Sequence, residues 1–290
     1  MWNDLGTVRG AAIQSRFAAQ FAVALALLAQ AAFAGEVRVL ENLAYKTGDL
    51  SDYEQTRCKL DLFLPAEGKD FPTVVWFHGG GLTGGDKSSG AAFGRSFAKQ
   101  GLAVASVNYR LSPQAKYPAY IEDAAAAVAF VRETIPKHGG TTKSIFVAGH
   151  SAGGYLTAMV GGDPRYLAKH GLKREELAGL IPISGQMITH FTVRAERGID
   201  KNHPLLDEAG PAFHVAKTIP PTLAVAAEKD MPARAEESRY YVAALKATGH
   251  EDATYREFAG RDHGTVGSEI GKPNDEVAAA VLAFIRRLRR

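Results

Sequence analysis

A serine between two glycines is the feature of this chain that most directly suggests chemistry. Residues 149–153 have the sequence Gly-His-Ser-Ala-Gly and follow the apolar run 144–148. A serine held on a tight turn between a strand and a helix needs neighbours without a Cβ atom, because the turn must close and the two elements must pass closely. The pattern therefore predicts that Ser151 is a nucleophile for acyl transfer.

A glycine-rich loop upstream could stabilise the negative charge that such an attack creates. The apolar residues 74–77 lead into His78, which three glycines follow. The backbone N–H groups of such a loop are not obstructed by side chains, and a developing oxyanion requires such donors. We expect the donors to be the N–H groups of Gly80, Gly81 and Ala152, the last at the N-terminus of the helix after the nucleophile.

Apolar runs predict the elements that must position these residues. Two runs have the alternating character of antiparallel edge strands: 37–45 and 57–64. Five are continuous and typical of buried parallel strands: 73–77, 102–108, 144–148, 180–183 and 222–226. Helical patterns fall between the strands at 91–100, 117–134, 152–160, 233–248 and 275–289. This alternation predicts an α/β fold: a mostly parallel, doubly wound sheet with antiparallel N-terminal strands, helices on both faces and reactive loops at the carboxyl ends of the strands.

Four motifs together resemble those of α/β-hydrolase fold serine esterases, in the group that contains hormone-sensitive-lipase-like and kynurenine-formamidase-like enzymes. They are Phe77-His78-Gly79-Gly80-Gly81, Gly85-Asp86-Lys87-Ser88, Asn108-Tyr109-Arg110-Leu111 and Gly149-His150-Ser151-Ala152-Gly153-Gly154. The resemblance covers most of the chain after residue 34. It implies a small-molecule ester substrate and an enzyme without a large helical cap, and it does not fix the acyl or alcohol group.

The hydroxyl of Ser151 needs a general base within hydrogen-bond reach, and that base needs an orienting carboxylate. In the α/β-hydrolase fold the chain order is serine, acid, histidine. Asp230 follows the predicted strand 222–226, and His263 follows a further predicted strand at 254–258. The resemblance therefore implies that Asp230 is the orienting acid and that His263 is the base.

Two other carboxylates are near the implied acid and base. The family has a glycine three residues before the acid, and here that residue is Ala227. This departure leaves Glu228 as an alternative to Asp230. Asp262 precedes His263 directly, and an extended backbone would point the two side chains apart, so we expect Asp262 to be a loop residue or turn former.

Two further histidines belong to the same motifs. We expect the ring of His78 to hold the glycine loop in shape and His150 to pack beneath the turn that carries the nucleophile. Neither is expected to be the base.

The first 34 residues have the composition of a targeting segment. Two arginines precede the nearly uninterrupted apolar run 17–34, which ends in the small-x-small pattern Ala-Phe-Ala. The pattern predicts a signal peptide over 1–34 and an exported protein, periplasmic or secreted, without stable membrane association after cleavage. An uncleaved membrane anchor is the alternative.

Composition limits the remaining possibilities. With 290 residues, 46% hydrophobic and 22% charged, the chain can form a single domain over 35–290. The formal net charge of +3 is no footprint of nucleic-acid binding. The sequence has no His-Glu-x-x-His, no paired cysteines and no aspartate-rich calcium loop, so neither a metal nor a cofactor is implied. It makes no prediction of oligomeric state.

The segment 186–221 breaks the alternation of strands and helices, and we interpret it as a small lid. Leu82, which follows the three glycines, is expected to contact substrate. These observations favour a carboxylesterase that cleaves short-chain or aryl carboxylic esters through an acyl-enzyme. The alternatives are an arylformamidase, a carbohydrate acetyl or feruloyl esterase, and a catalytically silent binding protein. The presence of both Ser151 and His263 disfavours the silent binding protein.

Overall fold

A computed structural model of the protein describes residues 36–289, which are organised around an eight-stranded sheet. The strands are β1 (Arg38–Ala44), β2 (Lys59–Leu64), β3 (Phe71–Phe77), β4 (Ala103–Val107), β5 (Gly140–His150), β6 (Gly179–Ile183), β7 (Thr222–Lys229) and β8 (Ala253–Asp262). Their order across the sheet is β1-β2-β4-β3-β5-β6-β7-β8. Only the pairs β1/β2 and β2/β4 are antiparallel. The predicted mostly parallel sheet with antiparallel N-terminal strands is confirmed.

Helices connect most of the strands. They are α1 (Asp52–Arg57), α2 (Ala91–Ala98), α3 (Ala119–Thr134), α4 (Ala152–Gly162), α5 (Pro164–Ala168), α6 (Phe191–Glu196), α7 (Arg234–Ala247), α8 (Thr265–Ser268) and α9 (Glu276–Leu288). The five predicted helices are present with small shifts of their ends. The four short helices α1, α5, α6 and α8 were not predicted, because a helix of one or two turns is too short to show an apolar period.

The predicted start of the second strand at Arg57 is wrong. Arg57 ends helix α1 and β2 begins at Lys59. Helix α1 begins with a capping box, in which the Ser51 hydroxyl accepts from the Glu54 backbone N–H and the Glu54 side chain accepts from the Ser51 backbone N–H. These two bonds satisfy donors that a short helix would otherwise leave unpaired.

The sheet is buried on both faces. Successive residues of β3 alternate between two hydrophobic clusters, with Val75 and Phe77 in the one that α3 and α4 cover. Val74 and Trp76 lie in the other, which α2 and α9 cover. Burial on both sides explains why the central strands have continuous rather than alternating apolar sequences.

The segment 186–221 contains α6 and a 3₁₀ turn at Pro211–His214. It is tied to the rest of the fold by the hydroxyl of Tyr155, which donates to the carbonyl of Ala209 (2.8 Å). Whether this segment moves as a lid stays a prediction. The contacts group Val37–Arg290 as one compact unit, and the predicted signal peptide over 1–34 lies outside the described residues. No helix within residues 36–289 is long and apolar enough to cross a membrane.

Candidate active site

Ser151 lies on a sharp turn between β5 and α4. Its backbone has φ 57° and ψ −116°, an unfavourable combination for a residue with a Cβ atom. The turn is anchored by the backbone N–H of Ser151, which donates to the carbonyl of Ile183 at the end of β6 (2.8 Å). The strained geometry places the Ser151 side chain at the carboxyl edge of the sheet, as the glycine-flanked sequence predicts.

The close passage of α4 against β3 requires glycine at position 153. A Cβ atom on Gly153 would lie 2.0 Å from the backbone oxygen of Phe77, and backbone cannot move aside as a flexible side chain can. We expect Gly153→Ala to lower the free energy of unfolding by about 3 kcal/mol or more, the upper part of the range for overpacked cores. Denaturant unfolding would measure this, with Gly171→Ala as a control, since no atom lies within 4 Å of a Cβ there and its cost is limited to backbone strain at φ 68°.

Ser151, His263 and Asp230 form a chain of hydrogen bonds. The Ser151 hydroxyl lies 2.8 Å from Nε2 of His263, and Nδ1 of His263 lies 2.6 Å from Oδ1 of Asp230. A carboxylate only accepts hydrogen bonds, so Nδ1 carries the proton and Nε2 is free to accept from the serine. The structure therefore brings together the three residues that the sequence singles out as nucleophile, base and acid.

The alternative acids are engaged elsewhere. Oε2 of Glu228 accepts from the backbone N–H of Gly260 (2.8 Å). Oδ1 of Asp262 accepts from both the backbone N–H and the hydroxyl of Thr265, which makes it a turn former at the start of α8. Neither carboxylate is placed on His263.

The glycine loop passes directly beside the nucleophile. A Cβ atom on Gly79 would lie 3.2 Å from Cβ of Ser151. Gly80 and Gly81 have φ values of 113° and 64°, which residues with a Cβ rarely adopt. Within residues 36–289 the N–H groups of Gly80, Gly81 and Ala152 donate to no protein acceptor, which leaves all three available to a ligand.

The predicted substrate contact of Leu82 does not fit the structure. Its side chain has no accessible surface and lies in the hydrophobic cluster beneath α3 and α4. Instead, Phe191 and Thr192 of α6 border the loop. The Thr192 hydroxyl donates to the carbonyl of Gly81, and a Cβ atom on Gly81 would lie 3.1 Å from the Phe191 ring. No pattern in the sequence indicates these contacts, because α6 is remote from the glycine loop along the chain.

Comparisons with known proteins agree with this geometry. Residues 60–169 match the BD-FAE family model. Over 96% of this chain and 95% of the other, the fold matches esterase B from Lactobacillus rhamnosis with a TM-score of 0.72 at 21% identity. The chain has the α/β-hydrolase fold. A bacterial heroin esterase has the same fold, with a TM-score of 0.67 and 25% identity over 94% of this chain and 90% of the other.

Curated relatives of this α/β-hydrolase chain are also esterases. It is 27% identical to esterase LipC of Mycobacterium tuberculosis over 77% of its own length and 60% of LipC. It is 40% identical to carboxylesterase NlhH of the same organism over 34% of each chain. The chain thus spans about 60% of LipC and a smaller share of NlhH. The resemblance to esterases of the α/β-hydrolase fold is confirmed.

Asp230 is fixed by a residue that the sequence analysis missed. Ser184, which follows β6, donates its hydroxyl to Oδ2 of Asp230 (2.6 Å), and the backbone N–H groups of Ala227 and Met231 also donate to this carboxylate. Burial alone would raise the pKa of Asp230, but the hydrogen bonds from His263, Ser184 and the backbone lower it to about 2. Asp230 is therefore charged near neutral pH. A polar residue at the carboxyl end of the neighbouring strand was the available signal.

The ring of His78 holds the glycine loop in shape. It stacks on Tyr109 with 4.4 Å between ring centroids, and Nδ1 donates to the carbonyl of Gly79 (2.6 Å). Nε2 accepts from the guanidinium of Arg57 (3.3 Å). Burial lowers the pKa of His78 to about 4, so the ring is neutral and keeps this donor and acceptor pattern.

His150 supports the base rather than replacing it. Nε2 of His150 donates to the backbone carbonyl of His263 (2.6 Å), and the ring packs where Cβ atoms of Gly79 and Gly267 would otherwise lie. Burial, followed by the nearby His263, lowers the pKa of His150 to about 4. The ring thus connects the glycine loop to the loop of the base.

The lowered pKa values of His78 and His150 predict an acid-sensitive fold. Below pH ~6.5 the unfolded chain protonates the two histidines, whereas the folded chain does so only near the lowered pKa of about 4. Unfolding therefore takes up protons in this interval, and we expect stability to fall as the pH decreases, by about 1.4 kcal/mol per pH unit for each histidine. Denaturant unfolding at pH 7, 6 and 5 would measure the slope. His78→Gln should reduce it and the exposed His203→Gln should not, whereas a flat profile would contradict the assignment.

Phe191 lines two cavities. One, of about 510 Å³, extends from Thr83 to Lys116. The other, of about 550 Å³, extends from Gln186 to Met231, the residue after Asp230. The Phe191 ring also borders the glycine loop, since a Cβ atom on Gly81 would lie 3.1 Å from it.

Proposed function

We propose that this chain is a serine carboxylesterase that acts on small esters through Ser151, His263 and Asp230. The observation that carries the proposal is the hydrogen-bonded chain of these three side chains, placed beside a loop with unpaired N–H groups. Esterases among the relatives and structural neighbours support it. Two cavities of about 510 and 550 Å³ share Phe191, which borders the glycine loop, and they have room for parts of a short-chain or aryl carboxylic ester.

The geometry accounts for each proton transfer in such a reaction. Oγ of Ser151 attacks the carbonyl carbon while its proton passes to Nε2 of His263. The N–H groups of Gly80, Gly81 and Ala152 stabilise the tetrahedral oxyanion, and removing one such donor typically raises the barrier by about 3–4 kcal/mol. The C–O bond to the alcohol then breaks, and His263 returns the proton to the leaving oxygen.

Hydrolysis of the acyl-enzyme repeats the same steps with water. His263 takes a proton from water as its oxygen attacks the acyl carbon, and then returns a proton to Oγ of Ser151. Asp230 keeps its negative charge and stabilises the imidazolium that forms twice in each cycle.

A comparison of substrates tests this proposal against its alternatives. We expect kcat/KM to be highest on 4-nitrophenyl acetate and lower on methyl ferulate, acetylated xylan and N-formylkynurenine. A preference for N-formylkynurenine would indicate an arylformamidase, and a preference for methyl ferulate or acetylated xylan a carbohydrate esterase. A fluorophosphonate should label the peptide that contains Ser151, and failure to label would favour a silent binding protein.

We also propose that residues 1–34 direct export and are removed. The support is the apolar run that ends in Ala-Phe-Ala. N-terminal sequencing of the protein recovered from the periplasm or medium should begin near residue 35, and recovery of the intact chain in the membrane fraction would support an anchor instead.

A further inference from the structure

Two buried arginines next to the candidate active site have guanidinium N–H groups that form no hydrogen bond within residues 36–289. Arg194 of α6 is 3% exposed and Arg234, the first residue of α7, is 2% exposed. In the described part of the chain, Nε and Nη1 of Arg194 and Nη1 of Arg234 are buried without any hydrogen-bond partner. Arg194 donates through Nη2 to the carbonyl of Lys201, which is a neutral acceptor.

Such an arrangement is unfavourable in the unliganded protein. A guanidinium stays protonated in proteins, so it cannot escape burial by losing its charge. A buried charge without a partner lowers stability by several kcal/mol. Burial also lowers the pKa of both side chains, which indicates the same penalty. An anion between the two guanidiniums would offset it.

Glu237, Asp200 and Asp230 lie near the two arginines, but within residues 36–289 none of these carboxylates forms a hydrogen bond with Arg194 or Arg234. Both arginines line the cavity of about 550 Å³, together with Lys201 and one carboxylate, Glu237. Glu237 is already engaged, since its Oε2 accepts from the backbone N–H groups of Met187 (2.8 Å) and Ile188. The neighbouring His190 is fully buried, and burial followed by the two arginines holds its pKa well below the usual range, so its ring is neutral.

The cavity is placed to receive part of an ester that reacts at Ser151. Its lining includes Met231, which directly follows Asp230, and Phe191, whose ring borders the glycine loop at Gly81. Its wall is otherwise largely apolar, with Ile188, Phe191 and Met231 among the lining residues. An apolar wall with a cationic end fits an organic acid better than a fully hydrated inorganic anion.

We propose that Arg194 and Arg234 bind a carboxylate carried by the substrate, so that the preferred ester is an acidic one. The inference rests on the proposed esterase function. A carboxylate matches the planar donor fork of a guanidinium and can accept the unpaired N–H groups of both arginines. A neutral ester of the same size would leave these donors unpaired and would be disfavoured for that reason.

Pairs of esters of similar size, of which one member carries a carboxylate and the other is neutral, test the proposal. 4-Acetoxybenzoate against methyl 4-acetoxybenzoate places the carboxylate on the alcohol side, and monomethyl adipate against methyl hexanoate places it on the acyl side. We expect kcat/KM to favour the acidic member of at least one pair by roughly 10- to 100-fold, the size of one or two charge-assisted hydrogen bonds. The pair that shows the preference identifies the side. No preference in either pair would overturn the proposal and indicate that water alone solvates the arginines.

Variants distinguish direct binding of the substrate carboxylate by the two arginines from a general effect of positive charge. We expect Arg194→Met and Arg234→Met to lower the ratio of acidic over neutral kcat/KM at least tenfold. The control Arg239→Met removes the same charge from α7 at an exposed residue paired with Glu257, and it should keep the ratio. Melting temperatures should rise in Arg194→Met and Arg234→Met, because an unpaired buried charge is lost. A fall in melting temperature with an unchanged ratio would show that the arginines serve structure only.

A binding measurement keeps this inference separate from the esterase proposal. At constant ionic strength, 4-hydroxybenzoate or adipate should raise the melting temperature of Ser151→Ala, and the additional change Arg234→Met should abolish the shift. Inorganic phosphate at the same concentration should give a smaller shift, and an equal one would contradict recognition of an organic acid. A shift in a protein that hydrolyses no ester would support the anion site while refuting the esterase proposal. Ester hydrolysis without a shift or an acid preference would refute the anion site alone.

Discussion

Ser151→Ala is expected to lower kcat on 4-nitrophenyl acetate by roughly 10⁴- to 10⁶-fold, the range found when a catalytic nucleophile is removed. The Ser151 hydroxyl is the group that donates to Nε2 of His263, and its loss leaves no oxygen to form the acyl-enzyme. Residual hydrolysis should persist above the rate in water, because the N–H groups of the glycine loop still stabilise an oxyanion. Initial rates and active-site titration would measure the loss.

Two controls make that result specific. The melting temperature of Ser151→Ala should stay close to that of the wild type, since the backbone bond from Ser151 to Ile183 is retained. Ser89→Ala removes an exposed hydroxyl that donates to the carbonyl of Asp86. This hydroxyl takes no part in the hydrogen bonds among Ser151, His263 and Asp230, so the variant should leave kcat unchanged. Near-normal turnover by Ser151→Ala would refute the nucleophile.

The central part of the fold could be predicted because burial dictates its sequence. The central parts of strands β3 and β5, residues 74–77 and 145–148, are covered on both faces, so each is a continuous apolar run. The turn around Ser151 could be predicted for a different reason. Its strained backbone and the close approach of Gly153 to Phe77 admit few residue types, so the geometry is visible as a motif.

The sequence favours Asp230 as the acid but leaves Glu228 open as an alternative. Side chains alternate between faces along a strand, so the direction of each depends on where the regular pairing ends. Strand β7 has a register shift between Ala227 and Lys229 in its pairing with β8, and this irregularity changes the alternation just before Asp230. Such a shift depends on tertiary contacts that no local pattern reports.

The contacts made by α6 also could not be predicted. Phe191, Thr192 and Arg194 reach the glycine loop and the cavity because the irregular segment 186–221 folds back over the carboxyl edge of the sheet. The path of a long connection is set by what it packs against rather than by its own sequence. For the same reason, the sequence separates Arg194 from Arg234 while the fold places both on one cavity.

Asp230→Asn is expected to lower kcat by about 10³- to 10⁴-fold, the loss seen when the carboxylate of a serine-histidine-acid triad is replaced by an amide. The carboxylate accepts from Nδ1 of His263 and thereby leaves Nε2 free to accept from Ser151. An amide can turn its NH₂ group toward the histidine, which favours the tautomer with a proton on Nε2. That tautomer cannot accept the serine proton.

The amide also cannot satisfy every donor that surrounds position 230. The carboxylate accepts from Ser184, Ala227 and Met231 as well as from His263, whereas an asparagine side chain has one acceptor oxygen. We therefore expect the same variant to lower the free energy of unfolding by about 1–3 kcal/mol, which denaturant unfolding would measure.

Glu228→Gln is the matched control, because it makes the same chemical change two residues away on a carboxylate that binds the Gly260 N–H. Its kcat should stay within about threefold of the wild type, as for an exposed hydrogen bond of little net energy. If Glu228→Gln lost as much activity as we expect of Asp230→Asn, the assignment of Asp230 as the acid would be wrong. Loss in Asp230→Asn alone would show that the aspartate charge serves catalysis, and the accompanying loss of stability would measure its separate role in fixing the loop after β7.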